Sequence, residues 1–96
     1  MCLTNLPSKI VICEVGPRDG LQNEKIDLTV EQKVELIERA VTAGIKIIEV
    51  GSFVNPKAVP QMADTDQVVR MLKKIPDVEY RALIFNLKGL QRVEDC

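Results

Sequence analysis

Histidine does not occur anywhere in the 96 residues, which removes the commonest general base and the commonest transition-metal ligand from the chain. Cysteine is scarce. Cys2, Cys13 and Cys96 are widely spaced and form no CxxC pair, so neither a disulfide framework nor a zinc site is indicated, and Cys13 reads as buried packing. Neither sign of charge is in excess. The 13 basic and 14 acidic side chains leave a formal net charge of -1, which implies no nucleic-acid or anionic-membrane partner. Long apolar runs are missing as well. The stretch from Ile45 to Val50 is interrupted by Lys46 and Glu49 and is far too short to span a bilayer. Met1 to Lys9 have neither the apolar centre of a secretory signal nor the Arg- and Ser-rich character of an organelle presequence, so a cytoplasmic protein is expected. Length allows one small domain at most and excludes a complete catalytic barrel.

What is present is a repeat. Shifting the sequence by 35 positions lays Ile10-Val11-Ile12-Cys13-Glu14-Val15-Gly16 on Ile45-Lys46-Ile47-Ile48-Glu49-Val50-Gly51, with five of the seven positions identical. Each copy is a β-branched run ending in Glu-Val-Gly, as a mostly buried parallel strand leaving its sheet would read. After the first copy, Thr29 and Gln32 have the spacing of a capping box, and Val30, Val34, Ile37 and Val41 recur on one helical face. Gly44 ends that helix. After the second copy, Asp64 with Gln67 marks another start, Val68, Leu72 and Ile75 form the apolar stripe, and Pro76 stops it. A third strand is expected over Val78 to Phe85. Asn86-Leu87-Lys88-Gly89 reads as a loop opening a third helix from Leu90.

The order βαβαβα indicates an α/β fold with parallel strands and right-handed crossovers. Periodicity leaves two architectures open, a doubly wound sheet and a (β/α)₈ barrel, and by itself slightly favours the open sheet.

Chemistry in such folds collects where strands end. The first strand runs into Gly16-Pro17-Arg18-Asp19-Gly20-Leu21-Gln22-Asn23-Glu24, a compact polar loop whose glycines and proline fix a tight path. Arg18 and Asp19 admit two readings. They are a local ion pair on a solvated turn, or Asp19 offers a hard oxygen to a divalent cation while Arg18 supplies positive charge to a developing oxyanion. Glu49 ends the second strand at the place Glu14 holds in the first, near enough to pair with Arg18 or relay a proton, or else to pair with a nearby Lys. The two glycines of Gly16 to Gly20 lack the Lys-Ser/Thr of a P-loop and the third Gly of a dinucleotide fingerprint, so a nucleotide site is not expected. The loop from Ser52 to Asp64, with Phe53, Met62 and two prolines, exceeds the usual βα connection and reads as functional.

These residues resemble a known family. Glu14 to Glu24 is similar to the first-strand motif of 3-hydroxy-3-methylglutaryl-CoA lyases, Ser52-Phe53-Val54-Asn55-Pro56-Lys57 with Val59 to Asp64 resembles their second-strand loop, and Asn86-Leu87-Lys88-Gly89 fits a third. The resemblance runs from Lys9 to Gly89. Related Claisen-type synthases and the carboxyltransferase domain of pyruvate carboxylase share the Arg-Asp-Gly core but usually lack Gly16-Pro17 before it. Val50-Gly51 and Phe85 depart mildly from the lyase pattern.

The resemblance implies residues 1–96 as the first three βα units of a (β/α)₈ barrel that cleaves 3-hydroxy-3-methylglutaryl-CoA to acetoacetate and acetyl-CoA, in leucine breakdown and ketone-body formation. It implies a divalent metal, Mg²⁺ or Mn²⁺, with Asp19 as a ligand. Arg18 would stabilise the enolate, Glu49 would support Arg18 and the proton network, and Gln22 would line the site. The implied partners are an acyl-CoA substrate and further copies of the parent enzyme. The family completes its metal site with a His-x-His pair and an Asn from later strands, and uses a Cys on a mobile loop near the end of the barrel as an acid; this chain has no His, and none of Cys2, Cys13 and Cys96 lies in such a loop. Such a barrel needs about 250 residues. The chain alone is therefore expected to be inactive and at best partly folded, with unpaired strand edges and with helix faces at Val34, Ile37, Val68 and Leu72 short of neighbours. Two alternatives stand beside this reading: a non-catalytic product that associates with an intact homologue, and part of a sister lyase acting on another 3-hydroxyacyl-CoA.

Overall fold

Three parallel strands and three helices alternate along residues 5–96, the part of the chain that the computed structural model describes. Met1–Thr4, including Cys2 and part of the segment read for targeting signals, lie outside the described residues. The strands β1 (Cys13–Glu14), β2 (Ile47–Ser52) and β3 (Glu79–Leu83) lie in sequence order with β2 central. The helices are α1 (Val30–Thr42), α2 (Thr65–Met71) and α3 (Leu87–Glu94). No helix among the described residues is long and apolar enough to cross a membrane.

Helix α1 begins where its local chemistry requires. The Gln32 amide donates to Thr29 Oγ1 at 3.2 Å and the Thr29 amide donates to Gln32 Oε1 at 2.9 Å, which satisfies two amide donors at the helix start. The helix ends at Gly44, whose φ of 108° is a conformation that side-chain-bearing residues rarely adopt. Val34 and Ile37 of α1, Ile48 and Val50 of β2 and Val68 of α2 form the core, with Val30, Ile45, Val69, Leu72 and Tyr80 packed around it. Val34, Ile37 and Val68 are therefore covered by β2, contrary to the expectation that these faces would lack neighbours, because a single central strand suffices to bury one stripe from each helix.

Other expectations need correction. The first strand is much shorter than the run Ile10 to Val15, and Ile10, Val11 and Ile12 are exposed, because β1 has one neighbouring strand and none of the described residues covers its outer edge. Cys13 is half-buried for the same reason. Pairing sets Cys13 beside Ile47 and Glu14 beside Ile48, one residue off the alignment of the sequence repeat. Helix α2 stops at Met71, well before Pro76; Leu72 is already extended, and Lys73's carbonyl accepts instead from the Tyr80 hydroxyl at 3.0 Å. Asp64 stands at the start of α2 without capping it, since its carboxylate is engaged by Lys33. Asn86 to Gly89 is not a loop: Asn86 Oδ1 accepts from the Gly89 amide at 2.9 Å, which makes Asn86 the cap and starts α3 at Leu87. Strand β3 ends at Leu83, short of Phe85.

A bulge in β2 opposite β3, between Glu49 and Gly51, turns both Val50 and Gly51 toward the helices. A Cβ on Gly51 would stand 2.5 Å from Thr65 Oγ1, so glycine is what lets α2 approach the strand.

Candidate active site

The peptide after β1 winds into a single wide turn, Gly16–Gly20, in which the amides of Arg18, Asp19 and Gly20 all converge on the Val15 carbonyl at 3.1, 2.7 and 3.3 Å. Glu14 fastens its entry, accepting from the Gly16 amide at 2.9 Å. Glu14 and Glu49 thus have different jobs in spite of their equivalent places in the repeat. Glu14 braces its own turn, and Glu49 reaches across to the neighbouring strand end.

There Arg18 Nε donates to Glu49 Oε1 at 2.8 Å, with both side chains mostly covered, at 18% and 22% exposure. The local partner is weaker. Arg18 Nη1 lies 3.4 Å from Asp19 Oδ1, and the Asp19 side chain is 54% exposed. Asn23 Nδ2 donates to the Asp19 carbonyl at 2.9 Å and stands 3.5 Å from its carboxylate. The arrangement therefore fixes one guanidinium through its Nε and leaves a carboxylate loosely held beside it. Gln22 is half-buried in the short helical turn that follows, and none of the side-chain hydrogen bonds among the described residues involves it.

A metal fits this site in part. Asp19 is a hard oxygen donor with little else to bind, but no group of three or more His, Cys, Asp or Glu side chains that could enclose an ion occurs among the described residues. Among the described residues Asp19 would be at most a single donor to such an ion.

Three groups at this end of the sheet were not foreseen. Ser52, the last residue of β2, is fully buried and its hydroxyl has no partner among the described residues. Lys33 is buried on α1, where it binds Asp64 and the Gln61 carbonyl. Arg92 of α3 lies 5.3 Å over the Phe53 ring and donates to the carbonyls of Val54 and Ala63 at 3.2 and 3.3 Å. The loop between β2 and α2 is held from both sides. A signal for Lys33 was present, since it falls between Val30 and Val34 on the apolar stripe, where a solvated lysine would not be placed.

Known proteins resemble this chain in sequence and in overall fold. A Pseudomonas aeruginosa 3-hydroxy-3-isohexenylglutaryl-CoA/hydroxymethylglutaryl-CoA lyase is 52% identical over 87 residues, covering 91% of this chain and 29% of the relative. The mitochondrial hydroxymethylglutaryl-CoA lyase of Macaca fascicularis is 48% identical over 89 residues (93% and 27%), and a cytoplasmic mouse 3-hydroxy-3-methylglutaryl-CoA lyase is 48% identical over 89 residues (93% and 26%). The crystal structure of the Pseudomonas aeruginosa hydroxymethylglutaryl-CoA lyase superimposes with a TM-score of 0.91 at 49% identity, over 95% of this chain and 30% of that one. A lyase from Acinetobacter baumannii, solved with coenzyme A and 3-methylmalate, superimposes with a TM-score of 0.85 at 42% identity, over 88% and 28%. The chain thus spans less than a third of the length of these relatives. The HMGL-like family model matches residues 9–92, most of the chain. The chain belongs to the HMGL-like family.

Proposed function

We propose that these residues form the first three βα units of a (β/α)₈ barrel lyase that cleaves 3-hydroxy-3-methylglutaryl-CoA to acetoacetate and acetyl-CoA. The observation that carries this reading is the Arg18–Glu49 pair, a guanidinium fixed at the sheet's C-terminal edge beside the loosely held Asp19 carboxylate. Retro-Claisen cleavage removes the proton of the tertiary hydroxyl, forms the ketone and leaves the electron pair of the broken carbon–carbon bond on the thioester enolate. The uncommitted N–H groups of Arg18 suit that enolate oxygen, and Glu49 holds the guanidinium in place without reorganisation during the reaction. Asp19 would be one ligand of a Mg²⁺ or Mn²⁺ ion, and Gln22 would line the pocket. When bound, the ion supplies Lewis acidity to the substrate's oxygens. In this reading the proton that completes acetyl-CoA comes from the family's mobile-loop Cys, carried by the remaining units.

The parent enzyme in this reading is a homo-oligomer acting on an acyl-CoA in leucine breakdown and ketone-body formation. The cytoplasm is its proposed compartment, supported by the cytoplasmic mouse relative, although mitochondrial relatives match as well. Cell fractionation decides between them. The isohexenylglutaryl name of the Pseudomonas aeruginosa relative favours a second reading of the substrate, a longer branched acyl group cleaved at the same bond. Acetyl-CoA release from the methyl and isohexenyl substrates compared side by side separates the two.

The roles of Arg18 and Asp19 are tested in a complete barrel made by joining this chain to the remaining units of the Pseudomonas aeruginosa lyase. Asp19→Ala is expected to weaken metal affinity. Arg18→Gln is expected to leave metal and substrate binding nearly intact while lowering turnover by about 10²- to 10³-fold, as loss of one oxyanion stabiliser does. Unchanged metal affinity in Asp19→Ala would remove that residue from the coordination shell.

A further inference from the structure

We infer that Lys33 is a positioning residue that locks the loop after β1 to the loop after β2, and so sets the place of the Arg18–Asp19 turn; this rests on the lyase reading above. Lys33 is 4% exposed, on a helix that otherwise buries Val34 and Ile37. Its Nζ donates to Asp64 Oδ1 at 2.6 Å and to the carbonyl of Gln61. Taking an ammonium out of water is costly unless such partners replace it. Both partners belong to the loop between β2 and α2.

From Gln61 the connection continues into the other loop. Gln61 Nε2 donates to the Glu24 carbonyl at 3.3 Å, and the amides of Glu24 and Asn23 donate back to Leu21 and Asp19 at 3.2 and 3.3 Å. Asn23 also holds the Asp19 carbonyl through its side chain. One cation on α1 therefore ties the Pro60–Met62 turn to the residues that follow Arg18 and Asp19. Lys33 and Asp64, with Gln61, Leu21 and Ile26, line a cleft of about 240 Å³ between the two loops, which the described residues leave unfilled. Lys33 takes no part in the cleavage.

The test uses the joined barrel with Lys33→Met, and with Asp64→Asn, which keeps its volume and removes the ion pair should the lysine variant fail to fold. Peptide-level amide exchange is expected to quicken in segments 20–24 and 53–64 in each variant while β2 keeps its protection. Turnover is expected to fall by about 10- to 100-fold with little change in the KM for the acyl-CoA, since small misplacements of reacting groups cost that much. The double variant should lose no more than the worse single one, because the two residues act as a unit. Unchanged exchange in both loops overturns the lock. Quickened exchange with turnover intact overturns the positioning role. If the unsubstituted barrel itself releases no acetyl-CoA, the lyase reading falls, and the positioning role with it, while the exchange result still judges the lock.

Discussion

Tyr80 is the single tyrosine of the sequence, so its titration reports on one place in the fold. Burial against the core, and after it the negative charge of Glu38, push its phenol above the usual value of 10.0. The raised value means that folding favours the protonated phenol. Its stabilising share is present below the ordinary pKa and is lost as the pH climbs through the folded one. Ultraviolet absorbance is expected to show Tyr80 ionising at higher pH in the native chain than in denaturant; coincident curves would show that it does not pack on the core. At this scale part of the site was legible. Glu49 was expected near the Arg18–Asp19 loop from the end of the second strand; it lies within β2 instead, and its carboxylate still meets the Arg18 guanidinium at 2.8 Å. Lys33 was missed because lysine is ordinarily read as solvated, although its position on the stripe argued otherwise.

Among the elements, local chemistry was readable and tertiary consequences were not. The Thr29–Gln32 box closes through its own side chains, so spacing alone located the start of α1. Asp64 carries the same kind of signal, yet its carboxylate belongs to Lys33, 31 residues away in sequence. Asn86 was misread for a different reason: the Gly89 that suggested a loop is the third helical residue, and a Cβ there would stand 2.5 Å from the Phe53 carbonyl. Helix α3 needs that glycine to reach the loop after β2. Gly51 makes the same allowance for α2. Gly51→Ala is expected to destabilise the fold by about 1–3 kcal/mol through overpacking against Thr65. Adding Thr65→Ala should recover part of the loss, since it removes the two atoms nearest the new methyl. Denaturant titration of the joined barrel checks both, and full stability in Gly51→Ala would contradict the close approach of α2 to β2.

Taken whole, the molecule carries more surface than its mass requires. Its accessible area is 6978 Å², against about 5,500 Å² for a folded monomer of this size. Its radius of gyration is 14.9 Å, against about 12.5 Å for a compact chain of this length. Exposed apolar side chains lie just before β1 and just after β3. Ile10, Val11 and Ile12 are exposed along the β1 edge, and Phe85 and Leu87 beyond β3. In the proposed barrel both edges are paired, which is the arrangement that leaves no edge open. The α/β class and the parallel order were readable from the repeat. The three strands present were readable too; how many complete the proposed barrel was not, because periodicity describes only the units present.

In the proposed barrel this chain supplies the opening units and is inactive without the others. Acetoacetate release from 3-hydroxy-3-methylglutaryl-CoA, with Mg²⁺ or Mn²⁺, tests it most directly when the chain alone is assayed beside the chain joined to the remaining units of the Pseudomonas aeruginosa lyase. No metal-dependent release is expected from the chain alone, and clear release from the joined barrel. Turnover by the isolated 96 residues, or a folded joined barrel that releases nothing, would contradict it.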